Sequence, residues 1–445
     1  MGFPDEFWIG FVIMVGIFLK LVYDIQAGYI SPDGLTGLWR SQRGAAPGSG
    51  TLGVIQYYYN HHALPDFSPR TYAGYAAPPL YPILAALFLW LITGVMGWKI
   101  AFGLYLLSCV NVIFVTAGIF AGIGLLSKFG VKGRRMVVSI LFLTFFPGYY
   151  HLGSVIGPDA LLFMLLMLSL NSAANWYLTR QARTMKRLTI TLCLAFLTGY
   201  RTFLILPPIL LIILYAARDG RVYHVPLPLQ FRRFAIPCGI AAFLWPVYNL
   251  LRFGLPLFYT DPAPNDWSTS YASLSPGTRL GIPSLHQLLH LRHTGKLSLS
   301  ANIWAQALKS AVVDYTSLNL TLVPTRRLAG IIVLLCLVLF ICGIGCAALY
   351  LPTSGMAPAF KAFYLSGVIS LIGGYLLWNL IRPCALSATF RLLPELPVLL
   401  LMGQGFAERD GWQSHPRRQT AGRLCSWGMF ASAVLTAVLF GFFAA

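Results

Sequence analysis

The sequence predicts an all-helical integral membrane protein. Hydrophobic residues make up 57% of the 445 residues and charged residues only 10%, whereas soluble domains contain about 25% charged residues. Apolar runs of roughly 20 residues, the length that crosses a bilayer, recur along the chain. The short gaps between these runs hold most of the basic residues. We therefore expect one polytopic membrane domain over residues 1–445, and a soluble fold is excluded.

The net charge of +19 is concentrated in clusters between the apolar runs, at 128–135, 180–187, 218–233 and 417–423. Clusters of Lys and Arg in short loops mark the cytoplasmic side of a membrane protein. A basic chain could also bind nucleic acid, but no motif here matches the known nucleic-acid-binding modules. We expect a membrane lipid environment and no nucleic-acid partner.

These clusters predict the topology. The first apolar run lacks the basic start and cleavage site of a signal peptide, so it is interpreted as a permanent span. Two large loops, 24–100 and 252–328, fall on the extracytoplasmic side. We predict roughly eleven crossings, at 7–23, 101–126, 136–155, 160–178, two within 188–217, 234–251, 329–350, 362–381, 384–405 and 424–443.

Two segments depart from simple crossings. The apolar run 80–98 does not fit the charge pattern as a complete span, so it lies in the outer interface, unless the orientation rule fails at the 128–135 loop. Residues 188–217 connect two basic clusters, so both ends are expected on the cytoplasmic side. The segment should therefore cross outward and return as two short helices. Arg201 lies in the middle of this run. An arginine at membrane depth normally faces a cavity or a partner.

Cysteine and histidine give no clear metal site. The eight cysteines include no Cys-x-x-Cys pair, so neither a disulfide framework nor a zinc site is indicated. A helix would place His286, His290 and His293 on one face, where they could bind a metal. The surrounding leucines favour an amphipathic interfacial helix instead. No cofactor is certain, and a divalent metal is possible but not indicated.

Several segments, in order along the chain, resemble the C-type-fold (GT-C) membrane glycosyltransferases, in particular the protein O-mannosyltransferase and aminoarabinose transferase group, glycosyltransferase family 39. They are Gly50-Thr-Leu-Gly-Val-Ile-Gln-Tyr57, Leu64-Pro-Asp-Phe-Ser-Pro-Arg70, Ala77-Pro-Pro-Leu80, the turn at Pro158-Asp159-Ala-Leu161, Phe196-Leu-Thr-Gly-Tyr-Arg201, Arg252-Phe-Gly-Leu-Pro-Leu-Phe-Tyr259 and Thr389-Phe-Arg-Leu-Leu-Pro-Glu-Leu-Pro397. The resemblance also implies that 80–98 is a juxtamembrane helix.

The resemblance implies transfer of a sugar from a polyprenyl-phosphate donor to a protein, glycan or lipid acceptor, on the outer face of a bacterial plasma membrane. A carboxylate base follows the first span in the family, so we expect Asp33, or secondly Asp24, in this role. Their structural alternatives are a Pro-Asp-Gly turn residue and a cap of the first span. Arg201 and Arg391 are the expected phosphate ligands, since guanidinium groups match phosphate oxygens. The alternative for both is an arginine that extends to the lipid headgroups.

The remaining candidate substrate-binding residues are Asp159, Tyr200, His61, His62 and Arg70. Asp159 alternatively favours a helix N-terminus, and the histidines alternatively belong to a plain loop. Several polar positions of the family motifs are apolar in this sequence, for example Ala77 before the prolines and Pro158 in the turn. Two other functions therefore stay open: a transporter or flippase for a lipid-linked precursor, and an inactive relative that acts as an assembly subunit.

Overall fold

A computed structural model of the protein describes residues 5–26, 50–72, 74–219, 227–259, 275–289, 291, 302–312, 322–352, 354–381, 393–409 and 416–442. Within these ranges the chain forms helices and their connections, and no β-strand is present. The helices of the first half are α1 Asp5–Gln26, α2 Gly50–His61, α3 Leu80–Trp90, α4 Ile100–Lys128, α5 Gly133–Thr144, α6 Pro147–Ser154, α7 Pro158–Thr179 and α8 Ala182–Thr198.

A π-helical turn at Leu91–Val95 extends α3, and a 3-10 turn at Tyr200–Ile205 precedes α9. The helices of the second half are α9 Leu206–Arg218, α10 Leu227–Phe253, α11 Pro276–Leu280, α12 Leu285–Leu289, α13 Ile303–Val312, α14 Val323–Tyr350, α15 Pro358–Ile381, α16 Leu396–Arg409 and α17 Pro416–Phe442.

Seven helices of the described chain are long and apolar enough to cross a membrane, or eight if the bent pair α5 and α6 forms one span. They are α4, α7, the 3-10 turn with α9, α10, α14, α15 and α17. The protein is therefore an all-helical, multi-pass membrane protein, as its composition predicts. The count of eleven crossings and the GT-C arrangement stay predictions.

The segment 80–98 is a short apolar helix that ends earlier than predicted. Leu80–Val95 belongs to the apolar helices of 10–17 residues, which reach at most about 25 Å and so fall short of the roughly 30 Å hydrocarbon core. Leu87, Trp90 and Val95 are exposed on one side, while Tyr81 is buried on the other. This length agrees with an interfacial helix rather than a complete crossing.

The predicted span 136–155 bends by 44° between α5 and α6. Pro147 occupies the first turn of α6, and because proline has no N–H it cannot continue the hydrogen-bond ladder of α5. All eight residues of α6 are buried. The bend thus places a short, fully enclosed helix inside the bundle.

The basic clusters lie largely within helix ends rather than in loops. Arg183, Lys186 and Arg187 belong to the first turns of α8, and Arg232 and Arg233 belong to α10. The predicted boundaries at 188 and 234 were therefore wrong by several residues. Arginine and lysine have high helix propensity and extend their charged groups toward water, so a helix can continue through such a cluster.

Helices α14 and α16 approach closely through glycines, as small residues allow in membrane bundles. A Cβ added at Gly403 would lie 2.9 Å from the Gly343 carbonyl oxygen, whereas one at Gly345 would meet nothing within 4 Å. We expect Gly403→Ala to destabilise the protein by about 1–3 kcal/mol through overpacking. Gly345→Ala is the matched control, since it gives the same gain in helix propensity without the clash. Thermal unfolding in detergent measures both, and equal midpoints would contradict the prediction.

Candidate functional site

An ion pair between Arg201 and Glu395 lies at the centre of the candidate site. The Arg201 Nη2 atom donates to Glu395 Oε1 at 3.3 Å across 194 residues of sequence. The side chains are 8% and 0% exposed, so the pair is enclosed by protein. Arg201 therefore has a protein partner, and that partner is a carboxylate.

Glu395 occupies a turn rather than the interior of a helix. The predicted span 384–405 is wrong at this point, because α16 begins at Leu396. Pro397 lies in its first turn, a position that suits proline since the N–H there has no helical partner. The Tyr149 hydroxyl of α6 donates to the Pro394 carbonyl at 2.8 Å. This bond fixes the turn that carries the carboxylate.

Tyr200, next to Arg201, connects the site to the segment between α2 and α3. Helix α8 ends at Thr198, and Gly199 is extended before the 3-10 turn. The Ala76 carbonyl accepts from Trp245 Nε1 at 3.1 Å, and from the Tyr200 hydroxyl and Asn249 Nδ2 at 3.4 Å each. The Ala76 carbonyl, which precedes the proline pair, thus accepts hydrogen bonds from both the 3-10 turn and α10.

Asp159 lies in the first turn of α7, directly after Pro158. A carboxylate is favourable there because the helix N-terminus carries partial positive charge. Asp159 also interacts electrostatically with Glu395 and with Tyr81. The predicted helix start is confirmed, and the same residue borders the ion pair.

Tyr81 connects α3 to this corner of the bundle. Its hydroxyl donates to Asn111 Oδ1 at 3.3 Å, and Asn111 Nδ2 donates to the Val155 carbonyl at 2.8 Å. Burial raises the pKa of the Tyr81 phenol, so the phenol keeps its proton at neutral pH. The α3 helix is therefore anchored beside the turn that precedes Asp159.

Asp24 is buried near the end of α1. Both of its carboxylate oxygens are inaccessible and accept no hydrogen bond from the part of the chain that is described. Within the described residues Asp24 therefore makes no capping bond at the end of α1. A carboxylate is also unfavourable at the negative C-terminal end of a helix. Lys20, one turn earlier, donates to the Thr144 carbonyl at 2.6 Å and lies 5.1 Å from the Tyr150 ring centroid.

Helix α6 contacts the surroundings of both carboxylates. Tyr150 packs on Lys20 and on Tyr23, while the adjacent Tyr149 bonds the turn before Glu395. Asp24 and Glu395, which are far apart in sequence, therefore belong to regions that pack on the same buried helix.

An apolar cavity of about 250 Å³ opens beside the ion pair. Leu393, Leu396 and Pro397, which flank Glu395, form part of its wall. The opposite wall comes from α13, α14 and α15, including Trp304 and Tyr375. The site thus combines a buried ion pair with a space suited to hydrocarbon.

The other predicted residues of the first outer loop form a separate group. His61 stacks on Tyr57 at 4.4 Å, and its Nδ1 lies 3.1 Å from the Tyr57 carbonyl oxygen. His62, with a positive φ of 50°, borders a groove of about 510 Å³ between α2 and α3. Arg70 is exposed. The structure does not bring these three residues together with Arg201.

Asp33 and Arg391 lie outside the described residues, as do His290 and His293. His286 is in α12, a helix of five residues that ends at Leu289. No group of three metal-ligating side chains occurs within the described ranges. The predicted meeting of Asp33, Arg201 and Arg391 therefore stays a prediction.

The sequence interpretation missed Glu395 as a site residue. It also did not predict that Lys309 of α13 is buried. Burial lowers the pKa of Lys309 to about 8. The cost of placing a charge at membrane depth applies to Glu395 as it does to Arg201. A lone carboxylate in an apolar run could therefore have been matched to a lone arginine. No such local signal distinguishes Lys309.

No protein-family model matches this sequence, and neither does any curated protein.

Proposed function

We propose that the protein is a GT-C-type glycosyltransferase that moves a sugar from a polyprenyl phosphate to an acceptor at the extracytoplasmic face of a bacterial plasma membrane. The sequence resemblance supplies this class. The observation that supports the proposal is the buried Arg201–Glu395 ion pair, which keeps polar atoms without hydrogen-bond partners and lies beside an apolar cavity.

These atoms are Oε2 of Glu395 and Nε of Arg201, each without a hydrogen-bond partner among the described residues. Both oxygens of Asp24 and Oδ1 of Asn249 also have none, although neither residue lines the cavity. Buried polar atoms in proteins almost always have a partner, so each exception requires an explanation. A sugar phosphate has hydroxyls for the acceptor atoms and phosphate oxygens for the guanidinium group. A bound substrate of this kind would satisfy atoms of both types.

The apolar cavity supports a lipid-linked donor. Its lining residues Leu393, Leu396 and Pro397 lie within two positions of Glu395 in sequence, and Glu395 accepts a hydrogen bond from Arg201. A prenyl chain in this cavity would place its phosphate near the Arg201 guanidinium group. Arginine matches phosphate oxygens with paired N–H donors. The proposed donor site therefore has an apolar part that suits the prenyl chain and a cationic part that suits the phosphate.

The proposed reaction is a displacement at the anomeric carbon. A carboxylate accepts the proton of the acceptor hydroxyl as its oxygen forms a bond to the sugar. The bond between the sugar and the phosphate oxygen breaks, and polyprenyl phosphate leaves with the electron pair. Arg201 would offset the charge that develops on this leaving group. Asp33, from the resemblance, and Asp24, from its burial near α6, are the candidate bases.

Asparagine substitutions distinguish the two bases. The base in such a reaction contributes about 10²–10⁴-fold to the rate, so we expect one of Asp24→Asn and Asp33→Asn to lower turnover by at least about 100-fold. The assay uses the purified full chain in proteoliposomes with undecaprenyl phosphate carrying glucose, mannose or aminoarabinose. Release of undecaprenyl phosphate, with water or added glycan as acceptor, is measured.

Asp66→Asn is the matched control, since Asp66 is an exposed loop carboxylate that accepts from Tyr57 at 3.5 Å. We expect its turnover to stay near that of the unsubstituted protein. Full turnover in both Asp24→Asn and Asp33→Asn would refute the proposed bases. Movement of an intact donor between leaflets, with no release from any of the three donors, would favour a flippase over an enzyme.

A further inference from the structure

A groove of about 620 Å³ runs between α8 and α10, at the end of the bundle that the basic clusters place on the cytoplasmic side. No function is assigned to it by the proposed sugar transfer. Its walls are formed by Ala182, Arg183, Met185, Lys186, Thr189, Ile190, Cys193, Leu194, Gln230, Arg233 and Pro237. One face of α8 and one face of α10 therefore form the groove.

The charged and apolar residues occupy different ends of this groove. On α8, Arg183 and Lys186 come first, and Ile190 and Leu194 follow at spacings of three to four residues, which place them on one helix face. On α10, Arg233 likewise precedes Pro237. Both helices begin at this end, so their cations lie together and their apolar residues lie together.

The depth of the groove matches one lipid leaflet. From Arg183 to Leu194 the helix rises about 16 Å, which is half of the roughly 30 Å hydrocarbon core. The Sγ atoms of Cys193 and Cys238 are 3.8 Å apart, so the helices touch at the apolar end. Ile190 and Leu194 are 49% and 37% exposed, which leaves apolar surface open to the bilayer along the groove.

The three cations of the groove have no ion-pair partner within the described part of the chain, and all three are exposed. The neighbouring Arg180 differs, because it is buried and paired with Asp219 at 3.0 Å. The Asp219 carboxylate therefore pairs with Arg180, three residues before Arg183, and not with a cation of the groove. Arg183, Lys186 and Arg233 present positive charge above an apolar channel, which is complementary to an anionic headgroup above acyl chains.

We propose that this groove binds an anionic glycerophospholipid of the cytoplasmic leaflet. The phosphate contacts Arg183, Lys186 and Arg233, and one acyl chain lies along Ile190 and Leu194. Basic pockets between membrane helices on the cytoplasmic side bind anionic lipid headgroups through the same combination of charges. The site is distinct from the proposed donor site, which lies at the other end of the bundle beside Arg201 and Glu395.

Native mass spectrometry of the full chain in detergent, titrated with cardiolipin or with phosphatidylcholine, tests the proposal. Each basic residue near an anionic surface contributes about fivefold to binding. We therefore expect the triple variant Arg183→Gln, Lys186→Gln and Arg233→Gln to bind cardiolipin about 100-fold more weakly. Leu194→Trp, which fills the groove without changing the charge, should also weaken binding.

The matched control is Arg187→Gln, Arg218→Gln and Arg232→Gln, which removes three exposed arginines from α8, α9 and α10 but none from the groove wall. This variant should bind cardiolipin nearly as well as the unsubstituted chain. Equal losses in the two triple variants would mean non-specific attraction and would overturn the proposal. Equal binding of phosphatidylcholine, or displacement of cardiolipin by soluble glycerol phosphate, would do the same.

Discussion

Replacing Glu395 with alanine is expected to destabilise the protein by about 3–5 kcal/mol, since it leaves the Arg201 charge buried without its partner. The Glu395 side chain is 0% exposed and that of Arg201 is 8% exposed. Arg201 therefore has little access to water that could solvate the guanidinium group after the substitution. Reversible unfolding in mixed detergent and SDS micelles measures the loss as a change in the free energy of unfolding.

A double variant, Arg201→Met with Glu395→Leu, provides the control for this prediction. Replacing both members of a buried ion pair with apolar residues of similar volume is often neutral or stabilising. We expect the double variant to recover most of the stability lost in Glu395→Ala. A loss below about 1 kcal/mol for Glu395→Ala would indicate a solvent-exposed pair and would contradict the enclosed site described above.

Neutralising the pair while keeping its shape is expected to lower sugar transfer by about 10³-fold. The variant Arg201→Gln with Glu395→Gln retains two polar side chains that can hydrogen-bond to each other, so the fold should persist. It removes the guanidinium group proposed to offset the charge on the leaving phosphate. Release of undecaprenyl phosphate from proteoliposomes measures turnover, and the unfolding midpoint of the same sample reports on the fold.

A second ion pair among the described residues, in which Arg180 is buried and Asp219 is partly exposed, offers a control. Arg180 and Asp219, which follow the last residues of α7 and α9, are joined at 3.0 Å at the end of α7 opposite to Asp159. Neutralising them in the same way, with Arg180→Gln and Asp219→Asn, removes the same number of charges far from the proposed site. We expect turnover to be nearly unchanged in this variant. Equal turnover losses for the two pairs would show that transfer reports only on the integrity of the bundle.

Much of the helical framework could be predicted from local sequence patterns. The apolar runs predicted α4 and α7 to within two residues, and the interruption at Gly199 between two helices was also predicted. Helix boundaries in the basic clusters were less accurate. Charged residues stop an apolar pattern but not a helix, and Arg183 and Arg233 have favourable helix propensity.

The candidate site was only partly predictable, because its contacts are long-range. Arg201, Tyr200 and Asp159 were identified individually, and the structure brings them to one corner of the bundle. The pairing of Arg201 with Glu395 joins segments 194 residues apart. No local periodicity encodes which buried charge meets which. The roles of Asp33 and Arg391 depend on segments outside the described ranges and stay predictions.

The enclosed helix α6 has a mechanical consequence for the two buried carboxylates. Its eight residues are all packed inside the protein. Tyr150 contacts Lys20, one turn before Asp24, and Tyr149 bonds Pro394, next to Glu395. The helix therefore acts as a spacer that the lipids do not touch. When the membrane thins or thickens and the outer spans tilt in response, the separation of the two acids is held by α6 rather than by the bilayer.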